Sequence, residues 1–136
     1  MKRKVDTIFI HCSASDASAH DDVAVINRWH KDRGWSGVGY HFFIQSSGAI
    51  QFGRDTEKTP AAQKGHNTGS LAICLSGNLE FTEKQFVSLR RLCLWLQKEV
   101  GAPLYIRAHN EVSTKSCPNF NIHARIPLDK AGYVLS

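Results

Sequence analysis

A chain of 136 residues sits inside the ~100–200 residues of one ordinary domain, so a single domain over residues 1–136 is expected, with no room for a second catalytic module. Hydrophobic residues at 42%, charged residues at 21%, 10 Gly and 4 Pro exclude collagen-like, low-complexity and largely disordered chains, and no stretch nears the ~18 apolar residues of a membrane span. The net charge of +5 would suit nucleic acid or an anionic envelope as well as plain solubility, but the basic residues are scattered and no specific nucleic-acid partner is expected.

Met1-Lys2-Arg3-Lys4 has the look of a signal-peptide n-region, yet the apolar stretch Thr7-Ile8-Phe9-Ile10 stops at His11, far short of an h-region. No export signal is expected, and Cys12, Cys74, Cys93 and Cys117 then read as free thiols or metal ligands rather than a disulfide framework. Thr7 to His11, β-branched and aromatic, predicts a short buried strand ending at the turn run Ser13-Ala14-Ser15-Asp16. Asp21 or Asp22 caps a helix with Val25, Ile26 and Trp29 on one face, stopped by Gly34. Tyr40 to Gln45 alternates, with Tyr40, Phe42 and Ile44 on one face, and returns through Ser46-Ser47-Gly48 into Ile50 to Gly53 as a hairpin.

Leu71 to Leu75 is a continuous apolar strand. Thr82 followed by Gln85 forms a capping box, with Phe81 placed to staple against Phe86. The helix that starts there carries Phe86, Leu89, Cys93, Leu96 and Val100 on one stripe and ends at Gly101 and Pro103. Tyr105 to Ala108, reached by that helical crossover, is a last short strand parallel to its neighbour. The expected architecture is an α/β (α+β) domain, a central mixed sheet flanked by helices.

Seven histidines are a surplus, and two of them, His11 at a strand end and His109 just after the last strand, can meet at one edge of a shared sheet. Cys117 follows His109 by a loop long enough to turn back. Two imidazoles and a thiolate suit tetrahedral zinc with the fourth position open to water, the pattern of a catalytic site. Cys12, next to His11 on the strand, points to the other face and reads as a buried thiol, while Cys74 and Cys93 read as packing. His30 reads as a surface residue or a neighbour of the site, His41 is excluded from the Tyr40 face, and His20 and His123 carry no signal.

Four separated stretches, Ile8-Phe9-Ile10-His11-Cys12-Ser13, Trp29 through Phe42 with Trp35-Ser36-Gly37-Val38-Gly39-Tyr40-His41 at its heart, Ala108-His109-Asn110-Glu111-Val112 and Lys115-Ser116-Cys117-Pro118, resemble the zinc-dependent N-acetylmuramoyl-L-alanine amidases of type 2. Within them the likeness is greatest to short bacteriophage lysozymes of amidase type, which share an ancestor with peptidoglycan-recognition proteins. The resemblance implies one zinc ion per chain on His11, His109 and Cys117, with Tyr40 and Lys115 beside it as catalytic residues. It implies a zinc-activated water that cuts the amide between N-acetylmuramic acid and L-alanine in peptidoglycan, and host lysis as the outcome.

Gln63-Lys64-Gly65-His66-Asn67-Thr68-Gly69-Ser70 resembles the family loop that lines the substrate groove, so Gln63 and His66 are expected as substrate contacts, although many relatives carry His-Ala or similar near Gln63. The resemblance further implies a monomer made in the host cytoplasm and released to the wall by a separate membrane-permeabilising protein. Phage RNA polymerase is a partner it allows, since similar lysozymes bind and inhibit one. The alternatives are a non-catalytic peptidoglycan-binding module, which typically lacks the cysteine ligand that Cys117 supplies here, and a polymerase-regulating protein on the same fold. The glutamates form no facing pair for a glycosidase, and no carboxylate cluster suits a magnesium nuclease.

Overall fold

The computed structural model describes residues 1–135. In chain order it forms β1 (Thr7–Cys12), α1 (Val23–Asp32), β2 (Phe42–Ile44), β3 (Ile50–Phe52), β4 (Ser70–Leu75), α2 (Glu83–Val100) and β5 (Tyr105–Ala108). The strands make one mixed sheet in the order β3-β2-β4-β1-β5: β1 runs parallel to both β4 and β5, β2 runs parallel to β4, and only β3 is antiparallel to its neighbour. Parallel strands in one sheet need long crossovers, and α1 and α2 lie in two of them.

The continuous apolar runs of β1 and β4 are buried on both faces, as strands covered by helices must be. On one face Ile8, Ile10, Phe42, Ile44, Leu71, Ile73 and Leu75 pack against the α2 stripe of Phe86, Leu89, Cys93 and Leu96. On the other, Phe43 and Cys74 meet Ile26 of α1 with Val38, Trp29 and Tyr40. Leu89 is fully enclosed, so Leu89→Ala is expected to cost about 2–5 kcal/mol, seen as a lower denaturant midpoint with an unchanged slope.

The helix boundaries follow local chemistry. Asp22 accepts the Ala24 N–H at 3.0 Å to start α1, and Gly34, at φ +86°, turns the chain away after it. The Thr82 hydroxyl accepts from the Gln85 N–H at 3.2 Å while the Gln85 side chain accepts from the Thr82 N–H at 2.9 Å, and the Phe81 and Phe86 rings lie 6.2 Å apart. Gly101 closes α2 in the left-handed conformation.

The expected alternation fails at one residue. The ladder of β2 begins at Phe42, so Tyr40 lies outside the pleat and packs with Phe43 rather than with Phe42 and Ile44. A segment also escaped the sequence reading: residues 121–135 lack periodicity, yet they return to the sheet through the bridge Tyr105↔Tyr133 and fold on themselves through Leu128↔Val134.

Candidate active site

The C-terminal ends of the neighbouring parallel strands β1 and β5 carry the two histidines. His11 is the fifth of six residues in β1, and His109 opens a 3-10 turn, His109–Glu111, directly after β5. The Glu111 carboxylate folds back to accept the Ala108 N–H, which holds that turn and the His109 backbone with it. Ligand sites gather at the carboxyl ends of parallel strands because loops there converge. The two imidazole rings lie 4.5 Å apart, centre to centre.

Cys117 completes the cluster. Its carbonyl accepts the Asn110 N–H at 2.9 Å, so the 111–116 loop closes on itself and delivers the thiol to the end of β1. One ligand atom from each of His11, His109 and Cys117 falls within 4.8 Å of the others. The Cys117 Sγ is 4.0 Å from His11 Nδ1 and accepts the Cys12 backbone N–H at 3.0 Å, a bond that favours a thiolate. These donors fit zinc: two nitrogens and one sulfur, with His11 fully buried and its Nδ1 directed at the sulfur.

The electrostatics agree for the two imidazoles. Burial lowers the His11 pKa to about 3, with His109 adding to the effect, so the ring is a neutral donor. Burial and the nearby Lys115 also lower His109. The hydrogen bond with Cys12, together with burial, pushes the Cys117 thiol up while lowering Cys12. Cys12 is buried as expected but is no bystander: its backbone grips the Cys117 sulfur and its own sulfur lies 3.7 Å from Asn119 Nδ2.

Tyr40 arrives from the β2 side, its ring 5.0 Å from that of His11, and burial raises its phenol well above the usual value. Lys115 is exposed on the loop before Cys117. A groove of about 690 Å³ runs past the cluster between Trp35, Ala61, Asn67, His109, Thr114 and Lys115. On the other side a smaller cavity of about 140 Å³ is lined by Tyr40, Arg33, Cys12, Cys117 and again His109 and Lys115. The cluster therefore lies where two cavities meet.

Neither expected substrate contact lines this groove. Gln63 is fully buried and its amide is occupied by His11 and Ser70, while His66 is exposed on the loop with its ring 6.4 Å from Phe9. A single sequence could not show the burial, because the Gln63 partner lies 52 residues away. Trp35, by contrast, forms part of the groove wall at 41% exposure.

Two further histidines hold this architecture. His30 Nδ1 accepts the Gly39 N–H at 2.8 Å, which fixes the turn before Tyr40, and His41 Nδ1 accepts the Ala72 N–H at 3.0 Å. Burial, with nearby arginines, lowers both pKa values to about 4. The unfolded chain takes up these protons near pH 6.5, before the native state does, so stability is complete above that pH and is lost as the pH falls toward 4. The loss is at most about 3 kcal/mol per histidine. Denaturant midpoints measured from pH 7 to 4 should fall steeply over this window, and the double variant His30→Asn, His41→Asn should show a flatter slope.

Comparison with known proteins accords with this geometry. The profile of the N-acetylmuramoyl-L-alanine amidase family matches residues 1–120. The endolysin of Escherichia phage T7 is 41% identical over 130 residues, covering 89% of this chain and 85% of that protein. The endolysin of Enterobacteria phage T3 is 38% identical over 125 residues, covering 86% and 82%. Among solved structures, the N-acetylmuramoyl-L-alanine amidase LysC from Clostridium intestinale URNW superposes with a TM-score of 0.81 at 28% identity, covering 90% of this chain and 83% of that one.

Proposed function

The chain belongs to the N-acetylmuramoyl-L-alanine amidase family and is a peptidoglycan-hydrolysing amidase of the endolysin kind; from that premise we propose that His11, His109 and Cys117 hold its zinc ion and that Tyr40 and Lys115 act on the substrate. The observation that carries the reading is the convergence of three zinc-type donors, from three separated parts of the sequence, where two cavities meet. Residues 1–136 are taken as one amidase domain.

Zinc bound there would activate a water and polarise the scissile carbonyl. The chain's own residues do the rest. Trp35 and Asn67 in the groove wall receive the glycan-peptide strand, an aromatic face and an amide being suited to sugar and peptide. As the carbonyl becomes tetrahedral its oxygen gains negative charge, and the ammonium of Lys115, one of the groove-lining residues, stabilises it. Tyr40 keeps its proton, since burial disfavours the phenolate, and so serves as a hydrogen-bond donor to the oxyanion. Burial keeps the His11 imidazole neutral, the form a metal ligand needs.

The test is the chemistry of the new ends. Digestion of purified peptidoglycan should release L-alanine amino groups in step with clearing and create no reducing sugars. Reducing ends without amino groups would replace the amidase reading with a glycosidase.

A further inference from the structure

Gln63 stands where the family resemblance expects a substrate contact, but the structure gives its buried amide a different task. One end of that amide has a fixed identity. Its Nε2 lies 3.3 Å from the His66 carbonyl, which can only accept, and 2.7 Å from the Ser70 hydroxyl. That hydroxyl donates its own proton to the Asn67 carbonyl at 2.8 Å, so toward Gln63 it too must accept. Both neighbours therefore require the NH2 group, and a flipped amide would set a fully buried oxygen against two acceptors.

The other end follows by elimination. Gln63 Oε1 faces His11 Nε2 at 2.8 Å, and an amide oxygen can only accept, so the proton of the neutral His11 ring must sit on Nε2. Nδ1 is left with its lone pair, directed toward Cys117. The support is itself pinned: the Asn67 side-chain oxygen accepts the backbone N–H groups of Ala62 at 3.1 Å and Gln63 at 2.9 Å, and the His66 N–H returns to the Gln63 carbonyl at 2.9 Å.

We propose that Gln63 is a positioning residue for the metal centre: through the relay Asn67–Ser70–Gln63 it locks His11 as the Nε2–H tautomer and so sets the zinc affinity of the site. The inference rests on the metal-site reading above and adds to it the residue that orients the buried ligand. It also explains how a side chain so near the groove has no exposed surface.

Two measurements test it, neither of them catalytic. Imidazole nitrogen–proton correlation spectra of wild-type protein, metal-free and zinc-loaded, should show His11 as a single Nε2–H tautomer. Zinc titration against a competing chelator should show about 10–100-fold weaker binding in Gln63→Met. Should Gln63→Met fail to fold, the wild-type tautomer still decides. An Nδ1–H tautomer in wild type, or undiminished zinc affinity in folded Gln63→Met, overturns this inference alone. Wild-type protein that takes up no zinc overturns the metal-site reading along with it.

Discussion

Cys117→Ser is expected to lose bound zinc and, with it, peptidoglycan hydrolysis. The thiol is one of three protein donors, and the serine hydroxyl that replaces it is a far weaker ligand for a borderline-soft ion. Changing a residue that only orients a ligand already costs about 10–100-fold in metal affinity, so removing a ligand itself should exceed about 100-fold. Folding should be spared. The Asn110 N–H to Cys117 carbonyl bond and the Cys12 N–H contact to position 117 use the backbone or a retained heteroatom. Metal analysis after gel filtration, with circular dichroism as the control, would check this. Stoichiometric zinc and full activity in Cys117→Ser would show that the third ligand is another group.

The second large effect concerns the transition state. Lys115→Met and Tyr40→Phe should each keep the fold and the zinc while losing activity by about 100-fold, the usual consequence of removing one donor to a developing oxyanion, ~3 kcal/mol. Lys115 is exposed, so its removal disturbs no packing. Tyr40→Phe keeps the ring that packs against Phe43 and His11 and deletes only the hydroxyl. Because both groups act in the transition state rather than in binding, the loss should fall on kcat with KM nearly unchanged. Wild-type turnover in either variant would remove that residue from the mechanism.

The parts of this account that were legible in the sequence share one property: their cause is local or periodic. The Thr82–Gln85 capping box, the α2 stripe, the Asp22 cap and the Ser46–Gly48 turn are each specified within a few residues, and each forms as read. The pairing of His11 with His109 was also accessible, because strands joined by a helical crossover lie parallel and bring their ends together. Long-range placement was not. Tyr40 departs from the expected alternation because the β2 ladder starts two residues later, a limit set by pairing with β4 and β3 rather than by side-chain pattern. Gln63 reads as a loop amide in the sequence, and only its partner at His11 makes it a buried support. Cys12 alternates away from His11 along the strand as expected, yet the loop carrying Cys117 wraps around the strand end and meets its backbone there.

The central claim, that hydrolysis of the muramoyl–L-alanine amide depends on zinc held by His11, His109 and Cys117, is tested most directly by metal removal and return. Protein stripped with a chelator should release no L-alanine amino groups from purified peptidoglycan, and one equivalent of zinc per chain should restore the release. Stripped protein that frees amino groups at the untreated rate would contradict the account.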